Sequence, residues 1–227
     1  MIGFWIPYWW LIIPALVLGM IAQAKVRSTY SRLSQVSVRS GMTGADMARR
    51  ILDANGLNDL PIERIGGTLS DHYDPRARAL RLSGDVHDGA TVAAVGIAAH
   101  EAGHAIQHAR SYVPLSVRNA IYPVASFGSN LGPILVIAGL LFGMIQPLIM
   151  VGIALFAAAV VFSIITLPVE FNASKRAVMI LSAGGFLSSD EVTGAKSVLS
   201  AAALTYVASA LASVLTLLRL ILLSRRN

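Results

Sequence analysis

The chain has 227 residues, of which 55% are hydrophobic and only 13% charged, with a net charge of +6 and a mean hydropathy of +0.66. That balance excludes an ordinary soluble domain and a disordered chain, and points to a helical protein that crosses a membrane several times. Twelve of the 18 Lys and Arg lie between Lys25 and Arg118, with no aromatic interleaving, so the basicity reads as membrane flanks and not as a nucleic-acid surface.

The first apolar run, residues 4–24, opens with Trp5, Tyr8, Trp9 and Trp10 as an interfacial aromatic belt. Ala22-Gln23-Ala24 has the small-x-small form of a cleavage site. No Lys or Arg precedes the run, however, and Lys25 and Arg27 follow it at once. That charge order predicts a retained anchor with its N-terminus outside.

Residues 25–118 form the polar part. Thr43-Gly44-Ala45-Asp46 has capping-box spacing and predicts a helix to about Ala54, closed by Asn55-Gly56. Two short extended runs are expected at 65–70 and 77–82, joined as a β-hairpin by Asp71-His72-Tyr73-Asp74-Pro75. Ser83-Gly84-Asp85 and Asp88-Gly89 offer caps for a following helix. That helix begins with about ten apolar residues, too few to span a bilayer, and reads as buried.

It carries His100-Glu101-Ala102-Gly103-His104, an H-E-x-x-H pattern. Residues four apart stand on one helix face, so His100 and His104 can direct two ring nitrogens at one ion. Glu101 is then placed to act on a water as general base instead of binding the metal. A glutamate at the end of so apolar a run is costly to bury without a task.

Three further apolar runs follow: 121–145, 148–169 and 199–223, with Gln146-Pro147 as the break between the first two. The Ala-rich stretch 201–210 reads as small-residue packing within a membrane helix. The Lys and Arg of 25–118 and of 175–196 place both segments on the cytoplasmic side, with the 146–147 break outside. Arg225 and Arg226 then fall outside, against the rule.

A catalytic zinc needs a third protein ligand, and with no cysteine in the chain it must be His or a carboxylate. His108 lies one turn beyond His104, about 6 Å further along a straight helix, and fits a supporting role better than ligation. Glu170, in Leu167-Pro168-Val169-Glu170-Phe171-Asn172-Ala173-Ser174, stands at the cytoplasmic edge of the third run, where a carboxylate is expensive without a partner. It completes a His2Glu set.

The order His-Glu-x-Gly-His, then Leu-Pro-Val-Glu-Phe-Asn-Ala-Ser, with Asp-His-Tyr-Asp-Pro upstream, resembles the YugP-like neutral zinc metallopeptidases, small bacterial membrane enzymes. The resemblance runs from Thr43 to about Arg176 and includes the layout of spans. It implies a zinc-dependent membrane peptidase with His100, His104 and Glu170 as ligands of one Zn2+ and Glu101 as base. More distantly the chain is similar to HtpX-like and CAAX-type membrane proteases, whose third ligand sits in a Glu-x-x-Ala-Asp pattern. Here Ala173 is followed by Ser174, and Asn172 is the candidate substitute for the missing acid.

The expected fold is mainly α: a polytopic membrane protein of about four transmembrane helices, with a small α+β insertion on the cytoplasmic side that carries the hairpin and the H-E-x-x-H helix. The expected segments are an anchor (1–24), a catalytic region (25–118), two membrane helices ending in the third ligand (119–176) and a connector with the last membrane helix (177–227). The expected activity is a gluzincin-like endopeptidase of the inner or plasma membrane, facing the cytoplasm and acting at the membrane surface. Its partners are a peptide or membrane-protein substrate and the lipid bilayer, with no nucleic acid. His72, Tyr73 and Arg176 are candidates for stabilising the oxyanion, and the hairpin edge for taking an extended substrate. Competing readings are a non-catalytic zinc-containing scaffold or adaptor, and a protease that cleaves within the membrane. The second is disfavoured by Asp85, Asp88 and Arg110 around the active helix, and a channel or transporter by the scarcity of polar groups in the spans.

Overall fold

The computed structural model describes residues 7–225; Phe4, Trp5 and Arg226 lie outside the described residues. A 3-10 turn, Trp9–Ile12, leads into α1 (Ile13–Leu33). Then follow α2 (Gly44–Ala54), β1 (Ile62–Ile65), β2 (His72–Asp74), β3 (Ala79–Ser83), α3 (Gly84–His87), α4 (Val92–Ala109), α5 (Val113–Leu141), α6 (Gln146–Ala183) and α7 (Ser189–Ser224). Among the described residues four helices are long and apolar enough to cross a membrane: Trp9–Leu33, Val113–Leu141, Gln146–Ala183 and Ser189–Ser224. The mainly α architecture with a small α+β insertion is as expected.

The chain divides into two compact units. One takes the N-terminal residues up to Ala22, then Ser116–Pro168, and the chain from Thr205 onward. Its core is Val136, Ile149, Phe156, Ala159, Val160 and Leu220. Here α5 and α6 meet through glycine. A Cβ on Gly132 would stand 2.8 Å from the carbonyl oxygen of Gly152, and one on Gly152 2.6 Å from that of Gly132. The two backbones touch where only hydrogen fits, which is how membrane helices gain dispersion contact without a hydrophobic drive. Phe127, Ile134, Ile137, Leu141, Met150 and Val151 are exposed, a surface suited to lipid and not to water.

The break between α5 and α6 comes earlier than Gln146-Pro147. It occupies 142–145, where Gly143 and Met144 take left-handed φ of 94° and 58°. Gln146 and Pro147 instead open α6, because a proline in the first helical turn withholds an N–H that has no intrahelical acceptor. Arg219 Nε donates to the carbonyl of Pro7 at 3.3 Å, so the end of α7 and the start of α1 lie at the same end of this unit.

The second unit comprises Gln23–Leu115 and Val169–Leu204. Thr43 caps α2 as its spacing requires: its hydroxyl accepts from the Asp46 amide at 3.1 Å, and the Asp46 carboxylate accepts the Thr43 amide at 3.0 Å. Gly56, at φ 74°, ends the turn after the helix. The buried face of α2 (Met47, Ile51, Leu52) packs with Leu80 and Leu82 of β3, with Val92, Val95 and Ile106 of α4, and with Leu181 of α6. Each such side chain contributes about 1.5–3 kcal/mol on burial.

The hairpin exists, but its strands are not 65–70 and 77–82. β3 lies between β1, to which it is parallel, and β2, to which it is antiparallel, with Tyr73 opposite Leu80. Residues 66–70 cannot extend because Gly67 and Leu69 adopt positive φ of 95° and 54°. The Asp-His-Tyr-Asp segment, expected as a connector, is the second strand. Asp74 starts the turn, its Oδ1 accepting the amides of Arg76 and Ala77, while Asp71 takes the amide and hydroxyl of Ser83. The cap of α4 also differs. Thr91 Oγ1 accepts the Ala94 amide at 3.2 Å, whereas Ser83-Gly84-Asp85 opens the one-turn helix α3 and Asp88-Gly89 belongs to the loop after it.

Candidate metal centre

α4 is an almost wholly buried helix of the second unit, with Val92, Ala93, Val95, Ala98, Ala99 and Ala102 in the core. Its small residues let neighbours come close. A Cβ on Gly103 would stand 2.9 Å from the carbonyl oxygen of Ala173, so α4 lies directly against the α6 backbone one turn beyond Glu170.

That contact brings three ligand-type atoms together. His100 Nε2 and His104 Nε2 are 3.2 Å apart, and Glu170 Oε2 is 3.2 Å from the first and 3.5 Å from the second. The imidazole rings stand edge to face, 88° between planes. Glu170 is 2% exposed. Among the described residues these three form the group able to hold a metal ion, with donor atoms within 4.8 Å of one another. His108, His72 and His87 are not in it.

The hydrogen bonds behind the two histidines bear on which ring nitrogen faces the group. Gln107 Nε2 donates to the Val169 carbonyl at 2.9 Å and to Asn172 Oδ1 at 3.0 Å. Its Oε1 therefore faces His104 Nδ1, at 3.0 Å, as an acceptor. Nδ1 must carry the hydrogen, so His104 in its neutral form presents its Nε2 lone pair to the centre. His100 Nδ1 pairs with Ser174 Oγ at 3.1 Å, a hydroxyl that can serve as donor or acceptor there. Two ring nitrogens and a buried carboxylate converging on one point are an arrangement that a bound cation would satisfy. Two His nitrogens and one carboxylate oxygen are a donor set that suits zinc.

Glu101 shares the helix turn but points elsewhere. Its Oε2 accepts the backbone amide of Tyr73, on β2, at 3.1 Å. Burial pushes the Glu101 carboxyl above its ordinary pKa, against the opposing pull of His100 and His104. For His104 burial opposes protonation, but the Glu170 hydrogen bond and the Glu101 charge outweigh it and raise the pKa.

The remaining candidates have other attachments. Tyr73 Oη pairs with His108 Nδ1 at 2.8 Å, so His108 braces β2 against α4. His72 is exposed, its Nδ1 on the Ser70 carbonyl. Arg176 Nε donates to Asn172 Oδ1 at 2.7 Å. Asn172 bonds to Gln107 and Arg176, whereas Ser174 meets His100 and Gln107 meets His104 directly. Gln107 belongs to no motif in the sequence; the signal that marks it is a glutamine three residues after His104 in so apolar a helix.

The comparisons with known proteins agree with this geometry. The family model described as "Putative neutral zinc metallopeptidase" matches residues 8–225. The chain is 52% identical over 213 residues to "Putative membrane protease YugP" of Bacillus subtilis (strain 168), covering 94% of each chain. No solved structure matches. The relative's designation and the four apolar helices agree on a membrane protein, and this chain belongs to the neutral zinc metallopeptidase family.

Proposed function

We propose that the protein is a membrane-embedded zinc endopeptidase that hydrolyses peptide bonds at the membrane surface. His100, His104 and Glu170 would hold the ion, and Glu101 would be the general base. The observation that carries this reading is the convergence of His100 Nε2, His104 Nε2 and Glu170 Oε2 within 3.5 Å, beside a buried carboxyl on the same helix turn.

Zinc, when bound, supplies a Lewis acid that polarises the scissile carbonyl and acidifies water. The other roles fall to the chain. Glu101 takes the proton of the attacking water and delivers it to the leaving amine. Its raised pKa suits that exchange, since a carboxyl of ordinary pKa is a weak acid catalyst near neutrality. The Tyr73 amide fixes which carboxylate oxygen is engaged and leaves the other for the water. β2 pairs only with β3 among the described strands, so an extended peptide could be laid along its outer edge beside Glu101, which already holds the Tyr73 amide there. Of the oxyanion candidates, Tyr73 is the one joined to the base through its own backbone. The excess of Lys and Arg in 25–118 supports a cytoplasmic orientation for the centre.

The test is cleavage of casein or a membrane-protein substrate by the purified protein in detergent, with and without a chelator, beside Glu101→Gln. Chelator-sensitive cleavage that readdition of zinc restores, and that Glu101→Gln lacks, is the expected result. Cleavage that survives the chelator would overturn the zinc mechanism, and cleavage that survives Glu101→Gln would overturn Glu101 as the base.

A further inference from the structure

We infer that Gln107 is a positioning residue for the metal centre, and that Asn172 and Arg176 hold it in the one orientation that works. The inference rests on the proposal that His100, His104 and Glu170 bind zinc. It assigns a role to residues that are neither ligand nor base.

The argument starts from two groups whose hydrogen-bonding character is fixed. A guanidinium can only donate, and a backbone carbonyl can only accept. Arg176 Nε, 2.7 Å from the Asn172 side chain, therefore faces its oxygen. The Gln107 amide group lies 3.0 Å from that oxygen and 2.9 Å from the Val169 carbonyl. Both are acceptors, so the Gln107 nitrogen must be the atom that meets them. Its oxygen is then left for His104 Nδ1 at 3.0 Å, where it accepts the ring hydrogen.

Every donor and acceptor in this line is determined by its neighbour, from Arg176 to the Nε2 lone pair of His104. Gln107 is fully buried, so water cannot take its place, while Asn172 and Arg176 are half-buried. Both hydrogens of the Gln107 amide are used on α6, and its oxygen is used on α4. One side chain thus joins the helix carrying two of the ligand-type residues to the helix carrying the third. A ligating imidazole needs such a partner on its other nitrogen for correct ring orientation, and losing it typically costs 10–100-fold in metal affinity. The relay would also favour zinc retention, since it pre-pays the ordering of His104 before the ion arrives.

The experiment measures zinc affinity by competition with a chromophoric chelator, on full-length protein in detergent, for wild type, Gln107→Leu, Asn172→Leu and Asn172→Asp. Gln107→Leu should bind zinc about 10–100-fold more weakly. Asn172→Leu should also weaken binding, because it removes one of the two acceptors on the Gln107 amide and leaves the Val169 carbonyl alone to hold its orientation. Asn172→Asp keeps an acceptor for both Arg176 and Gln107, and should restore affinity to within a few-fold of wild type. Wild-type affinity in Gln107→Leu, or equal loss in both Asn172 variants, overturns the relay. A wild type that binds no zinc overturns the underlying site assignment instead. Should a variant fail to fold, the wild-type zinc-free protein still decides: 15N-histidine NMR at alkaline pH should place the His104 hydrogen on Nδ1, and finding it on Nε2 removes the inference.

Discussion

The backbone amide of Tyr73 donates to Glu101 Oε2 at 3.1 Å, so the edge of a three-residue strand orients the carboxyl that follows the first histidine. Tyr73 lies opposite Leu80, whose own amide goes to the Pro61 carbonyl on the far side. The Tyr73 amide is thus free of the β2–β3 ladder and available to the centre. The proline-free edge of β2 is accordingly part of the proposed catalytic arrangement and not merely a structural margin.

Replacing Tyr73 by proline removes that amide hydrogen without breaking a ladder bond, since it faces outward. Tyr73→Ala loses the same side chain but keeps the amide. Turnover of Tyr73→Pro should fall about tenfold or more below that of Tyr73→Ala, because a misplaced base costs rate steeply. Zinc content should be unchanged in both. Equal turnover in the two variants would show that the amide does not position Glu101.

Glu170→Ala should lose stoichiometric zinc, whereas Glu101→Gln should keep it, because the two carboxyls differ in direction: one meets both histidines and the other meets Tyr73. Elemental analysis of the purified variants checks this. The wild type should also melt at lower temperature once zinc is chelated, since an ion present at about a thousandfold over its Kd adds roughly 4 kcal/mol to the folded state. A Glu170→Ala protein with full zinc would remove the third ligand.

Gly103→Ala should weaken zinc binding without altering any ligand. The added methyl would lie 2.9 Å from the Ala173 carbonyl oxygen, closer than carbon tolerates, so α4 and α6 must part. Overpacking of this kind costs about 1–3 kcal/mol, and here the strain falls between His100 and Glu170. Competition with a chelator reads the affinity; a wild-type value would mean the helices adjust elsewhere.

The capping box of α2 makes a separate, pH-dependent contribution. The Thr43 hydroxyl and amide hold the Asp46 carboxyl below its ordinary pKa. Its stabilisation is therefore present above the unfolded-state value and is lost as pH falls through the lower folded value. Thr43→Ala should cost about 1 kcal/mol near neutrality. The difference in melting temperature between wild type and Asp46→Asn should shrink as the pH is lowered below about 4. A difference that does not vary with pH would rule out the ionised carboxylate as its source.

The helices were legible because each rests on a local rule: the Thr43 box, the four-residue spacing of His100 and His104, and apolar runs long enough to span. The strands were not. Whether residues 65–70 extend depends on the positive φ of Gly67 and Leu69, and whether 72–74 pair depends on Leu80 as a partner on β3. Neither is a property of a short window of sequence.

What the residues alone established was the chemistry on offer: four apolar spans, two histidines and a glutamate on one helix turn, and Glu170 as a carboxylate too costly to leave unpartnered. Only the packing of α4 on α6 through Gly103 could bring Glu170, 70 residues from His100, to within 3.2 Å of it. Gln107 acquires its meaning in the same way, because an amide has a defined orientation only when its neighbours fix which end donates. Ligand types and helix faces follow from local spacing; the closing of a metal centre and the direction of its hydrogen bonds depend on contacts between segments far apart in the chain.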